Sequence, residues 1–114
     1  MQKQQKTIQV ELDEKAAEGI YSNFVLTGHT PSEFMLDFAR FLPGNKKAKV
    51  YARIVMTPQS AKTLLMVLER TIKQYEGNFG EITLPQQNIK VDPTSIGFQP
   101  NLPGEEKKDK KKPH

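Results

Sequence analysis

Lys49-Val50-Tyr51-Ala52-Arg53-Ile54-Val55-Met56-Thr57-Pro58 is the stretch on which the fold turns. Val50, Ala52, Ile54 and Met56 fall on one side, and Lys49, Tyr51, Arg53 and Val55 on the other. That period of two is the mark of a half-buried strand. Thr57-Pro58 then ends the strand and opens a helix, with Thr57 as N-cap and Pro58 as first helical residue, where its missing N–H costs nothing. Beyond it the period changes. Ala61, Leu64, Leu65, Leu68, Ile72, Tyr75 and Phe79 recur at helical spacing, and Lys62, Glu69, Arg70, Lys73 and Glu76 take the other face. Gly77-Asn78 supplies a stop. A helix this amphipathic is expected to lie across a sheet.

Working back towards the N-terminus, Ile8, Val10 and Leu12 alternate with Gln9, Glu11 and Asp13, which reads as a short strand. Ala16 to Gly19 interrupts it. Ile20 to Leu26 is rich in β-formers, with Ile20, Phe24 and Leu26 sharing a face with Ser22. Gly28-His29-Thr30-Pro31 is turn chemistry. Glu33 to Leu42 fits two periods. As a strand, Phe34, Leu36 and Phe38 oppose Met35, Asp37 and Ala39; as a helix, Phe34, Met35, Phe38, Phe41 and Leu42 form a stripe. The turns on either side, the second being Pro43-Gly44-Asn45, favour the strand. The expected fold is therefore α+β: a three- to four-stranded, mostly antiparallel sheet followed by one long amphipathic helix packed on it.

After Phe79 the pattern thins. Pro85, Pro93, Pro100 and Pro103 arrive with few apolar partners. The organisation expected is a flexible N-terminus (1–6), an α+β domain (7–82), a proline-containing extended arm (83–102) and a charged, disordered tail (103–114). The 36% of apolar residues crowd between Ile8 and Ile82, which leaves about 80 residues to build a core, near the size at which one core is barely sufficient.

The charge of +4 belongs to the ends. Lys3 and Lys6 supply two units. The last ten residues set five lysines against Glu105, Glu106 and Asp109, while 7–104 hold ten basic and ten acidic side chains. The folded part is neutral, which weakens the nucleic-acid reading that a basic chain first suggests. There is no cysteine, so disulfides and thiolate sites are excluded. The polar N-terminus does not read as a signal peptide, no apolar run reaches membrane-spanning length, and a cytoplasmic location is expected.

The strings Gly19-Ile20-Tyr21-Ser22-Asn23-Phe24, Glu33-Phe34-Met35-Leu36-Asp37-Phe38, and Ala52-Arg53-Ile54-Val55-Met56-Thr57-Pro58 with Ala61-Lys62 and Leu64 resemble a small prokaryotic family catalogued as a domain of unknown function, DUF3467. The resemblance runs from about Ile8 to Ile82. It implies strand, strand, strand and helix in that order, and brings no activity or catalytic residues with it.

Chemistry is sparsely supplied. His29 is the one internal histidine, in a turn, with no nucleophile motif around it. Asp37 lies in an apolar run and fits pairing with Arg40 or Arg53 better than catalysis. No metal-ligand cluster, phosphate loop or cofactor motif is present; Gly77-Asn78-Phe79-Gly80 follows a helix, where nucleotide-binding loops precede one. The reading is a non-enzymatic interaction or adaptor domain. Two features could carry binding. Lys46, Lys47, Lys49, Tyr51 and Arg53 bracket a turn and could hold phosphates and stack a base. Met35, Phe41, Val55, Met66 and Val67 exceed what one sheet–helix interface can absorb, which points to a homo-oligomer, a dimer first. A protein partner is the second possibility and nucleic acid ranks below it. Chaperone-like binding of apolar segments is a variant, by fold analogy with bacterial export chaperones, whose subunits also pair a sheet with a long helix.

Overall fold

The computed structural model describes residues 6–85, 89–92, 94, 95 and 97. The expected tail at 103–114, most of the N-terminal segment 1–6 and much of the arm lie outside them.

Asp13 opens a one-turn helix, α1 (Glu14–Glu18), by accepting a hydrogen bond from the Ala16 amide at 2.8 Å. Three strands follow, β1 (Phe24–His29), β2 (Phe34–Arg40) and β3 (Lys49–Met56), then a 22-residue helix, α2 (Pro58–Phe79). The sheet is antiparallel in the order β1-β2-β3. The β1–β2 turn is tied by Thr30, whose hydroxyl accepts from the amides of Ser32 and Glu33. The β2–β3 connection turns at Gly44, which takes φ +90°.

The two-way reading of Glu33–Leu42 resolves as strand, and the three-strand-then-helix order holds. Other expectations do not. Ile8, Val10 and Leu12 form no strand and stand 70–87% exposed. Alternation makes a strand only beside a free edge, and the chain's own sheet does not recruit this segment. Ile20 is also exposed, because β1 begins four residues later. There Ser22 donates to the Ala39 carbonyl at 2.8 Å. Asn23 extends the ladder with its side chain, donating to the Phe41 carbonyl and accepting from the Phe41 amide. Gly77-Asn78 does not end α2. Phe79 packs on Tyr75 one turn back, ring centroids 5.0 Å apart, and the stop falls at Gly80, whose φ of +99° suits glycine.

The pairing sorts the sheet into two faces. On the core face, Phe24–Ala39–Val50, Leu26–Asp37–Arg53 and Gly28–Met35–Val55 make three rows. On the far face, Val25–Phe38–Ala52, Thr27–Leu36–Ile54 and His29–Phe34–Met56 do the same. The sequence places Val50 with Ala52, yet they point apart. A bulge opposite the Phe38/Ala39 step inserts Tyr51 as an extra residue and turns Val50 over to the core face. Alternation cannot register such an insertion. Phe24, Leu26 and Ala39 are buried there, packed by Phe41, Ala48 and Val50 from the sheet end and by Ile89 and Val91 from the arm.

The helix is where the expected architecture changes. No residue of α2 is buried, and its stripe faces solvent rather than the sheet. The connection explains this. β3 ends at Met56 and α2 starts at Pro58, so Thr57 alone links them, held extended at φ −73°, ψ 161°. The residue before proline is confined to that region, and strand-to-helix returns over a sheet ordinarily take about 2–6 residues.

Candidate interaction surface

Asp37 is fully buried on the core face, which demands a partner. Arg53, its neighbour across β2–β3, supplies one. Nε donates to Oδ1 at 2.7 Å and Nη2 to Oδ2 at 2.8 Å, a side-on bidentate pair. The hydrogen bond to Asp37 raises the Arg53 pKa, with desolvation acting against it. Both residues are thereby committed to holding β2 to β3. His29 lies exposed at the end of β1, stacked on Phe34 at 5.5 Å.

The basic cluster is rearranged by the bulge. The Arg40 guanidinium sits 4.2 Å above the Tyr51 ring, and the Lys49 ammonium 5.1 Å from it. Tyr51 is thus engaged by two cations of its own chain and is itself 41% exposed. Lys46 and Lys47 are exposed on the β2–β3 connection. With Lys49 and Lys90 they rim a depression of about 590 Å³, floored by Phe24, Leu26, Ala39 and Phe41 and closed on one side by the arm residues Ile89 and Val91. Among the described residues, Asp92 is the one acid on that rim. The Thr94 hydroxyl and amide donate to its carboxylate and hold its pKa below the ordinary value.

The larger feature is apolar. Along α2, Leu64, Leu65, Leu68, Ile72, Tyr75 and Phe79 stand between 37% and 73% exposed on one stripe. Met66 and Val67 are exposed too, but lie off that stripe, Met66 among Lys62, Arg70 and Lys73 on the charged face and Val67 on the flank beside Thr71. Of the other association candidates, Phe41 packs on Phe24 with ring centroids 5.8 Å apart and serves the chain's own core. Met35 is half-buried, and Val55, its partner in the row, is 50% exposed. The far face is apolar as well: Val25, Phe34, Leu36, Phe38 and Met56 are half-buried, and Ile54 is 43% exposed. The periodicity places the stripe in the interior and leaves Met35, Phe41, Val55, Met66 and Val67 as the association candidates, whereas the structure leaves the stripe itself open. The short strand-to-helix link was the available sign that the stripe could not reach the sheet.

Compared with known proteins, the chain matches the model of the family described as "Protein of unknown function (DUF3467)" over residues 1–84. The chain belongs to the DUF3467 family. The match takes in α1, the whole sheet and α2, so the exposed stripe and the bulged strand lie within the DUF3467 region, while Ile89 and Val91 of the arm lie beyond it. No curated protein and no solved structure matches. Among the described residues, no helix is long and apolar enough to cross a membrane.

Proposed function

We propose that this DUF3467 protein is a non-enzymatic interaction domain whose folded unit is a self-associated one, a homodimer in its simplest form. The observation that carries this is α2: a 22-residue helix with no buried residue and a continuous apolar stripe. In proteins most of the stability of an amphipathic helix comes from packing its apolar face rather than from intrinsic propensity. The six large apolar side chains of that stripe leave on the order of 550 Å² open per chain, taking roughly 150–200 Å² for a side chain of this size. That is about two-thirds of the ~800 Å² per partner of a standard interface. Monomeric proteins rarely expose a patch so large.

Sedimentation velocity of the full chain, compared with Leu65→Ser/Leu68→Ser/Ile72→Ser, tests the proposal. The parent is expected to sediment at twice the chain mass or more and the variant at the chain mass. A parent that stays monomeric at high micromolar concentration removes the reading.

The lysine rim favours a second reading, as a binder of polyanions such as single-stranded nucleic acid. Lys46, Lys47, Lys49 and Lys90 converge on one rim with Asp92 as the sole acid among the described residues, and such contacts weaken steeply with salt. Titration of labelled single-stranded RNA and DNA at two salt concentrations, with Lys46→Glu/Lys47→Glu/Lys90→Glu as control, decides it; no binding at low salt removes this reading.

A further inference from the structure

We propose that the exposed stripe of α2 packs on the far face of the sheet of a second copy, reciprocally, so that each sheet is covered by its partner's helix. The inference rests on the self-association proposed above and specifies which surfaces meet.

Two apolar surfaces are left bare by one chain, and their shapes agree. Three strands at ~4.8 Å spacing make a sheet about 10 Å across between outer strand axes, and a helix with its side chains is ~10–12 Å wide. One helix therefore covers one such sheet. A seven-residue strand such as β2 runs about 23 Å, which a helix spans in about 15 residues, the distance from Ala61 to Tyr75. That segment carries most of the stripe. The far face offers Val25, Leu36, Phe38, Ile54 and Met56 to it, in three rows that also hold Thr27 and His29, and the pair Arg40–Lys49 bounds that face at one end. The core face is not the receiver, because Ile89 and Val91 of the arm already lie on it.

The chain cannot make this contact within itself. Thr57 is the sole residue between β3 and α2, and Pro58 fixes the direction of departure. A second copy has no such tether. Pairing α2 with α2 would bury the stripe but leave both far faces bare, and pairing sheet with sheet would leave both helices bare. The reciprocal arrangement covers all four surfaces. It also turns the charged face of α2, Lys62, Glu69, Arg70 and Lys73, to solvent, where sequence periodicity puts it.

The absence of cysteine makes the test direct. Leu36→Cys and Ile54→Cys mark the far face, and Leu65→Cys and Leu68→Cys mark α2. One member of each sheet–helix pair carries a mass tag; the two chains are co-expressed and oxidised. The expected product is a disulfide-linked heterodimer of a sheet variant with a helix variant, at about tenfold the yield of either variant linked to itself, since only Cα atoms within about 7 Å can be bridged. A helix variant that links mainly to itself, or a sheet variant that does so, overturns the arrangement while leaving self-association standing. A double variant that closes within one chain also overturns it. Sedimentation of the same samples separates these from the remaining outcome, a monomer, which overturns both proposals.

Discussion

Arg53→Met removes one half of the buried pair at the centre of the sheet and leaves Asp37 with two acceptor oxygens and no cation. Among the described residues, no buried side-chain polar atom lacks a partner, so the perturbation creates a defect the fold does not otherwise contain. Breaking a buried ion pair by removing one member costs about 3–5 kcal/mol. Here the Arg53 side chain is 44% exposed, and water can reach the gap it leaves, so solvent screening brings the cost below that range, to about 2–3 kcal/mol. A domain of this size holds a total of order 5–10 kcal/mol, and each kcal/mol shifts its midpoint by about 4–8 °C. Thermal unfolding followed by circular dichroism, at one fixed chain concentration because association shifts the midpoint, should therefore show a fall of about 10–20 °C. The companion variant Asp37→Leu/Arg53→Met removes the charge with its partner and should regain most of that loss. A single variant within about 2 °C of the parent would refute the desolvation argument. A double variant as unstable as the single one would show that packing, not the stranded carboxylate, set the cost.

Three further outcomes follow from the geometry. Val50→Ala should cost about 1–2 kcal/mol and Val55→Ala under about 0.5 kcal/mol in urea unfolding, because the bulge seats Val50 against Phe24 and Ala39 while Val55 is half open; equal costs would contradict the bulge. Thr57→Ala removes the oxygen that accepts from the Ser60 amide at 3.1 Å and should cost about 1 kcal/mol, with Thr57→Ser retaining it; an unchanged midpoint for Thr57→Ala would contradict the cap. The Asp92 carboxyl should titrate below the ordinary aspartate value in an NMR pH series. Its pKa is depressed by the Thr94 contacts, so they contribute at neutral pH and are lost as the pH falls through that lowered value; Thr94→Val should bring the titration back up.

The order of elements could be read from the sequence because each stands on local chemistry. Lys49–Met56 alternates, Thr57-Pro58 caps and starts, and Ala61–Phe79 keeps a helical stripe; none of these depends on a distant residue. The strand reading of Glu33–Leu42 needed its flanking turns, since its apolar residues satisfy both periods. What could not be read were the long-range terms. The bulge at Tyr51 is set by pairing with Phe38 and Ala39, so Val50 was assigned to the wrong face, and with it the idea that Lys49, Tyr51 and Arg53 share a free basic surface. Ile8, Val10 and Leu12 alternate as a strand does, yet pairing depends on an edge the periodicity does not describe. Asp37 was recognised as a residue in need of an arginine, and the cross-strand register chose Arg53 over Arg40. The largest difference is the helix. Its amphipathic pattern states that one face must be covered but not by which chain, and a one-residue connection to β3 moves the answer away from its own sheet.

The measurement that bears most directly on this account is amide hydrogen exchange along α2, read by mass spectrometry at high micromolar and at nanomolar chain concentration. If a second copy covers the stripe, peptides spanning Leu64–Tyr75 should be protected at high concentration nearly as well as β2 and should lose that protection on dilution, as they should in Leu65→Ser/Leu68→Ser/Ile72→Ser. Exchange through α2 that is fast beside β2 and the same at both concentrations would contradict it, and would leave α2 as a helix that no second copy covers.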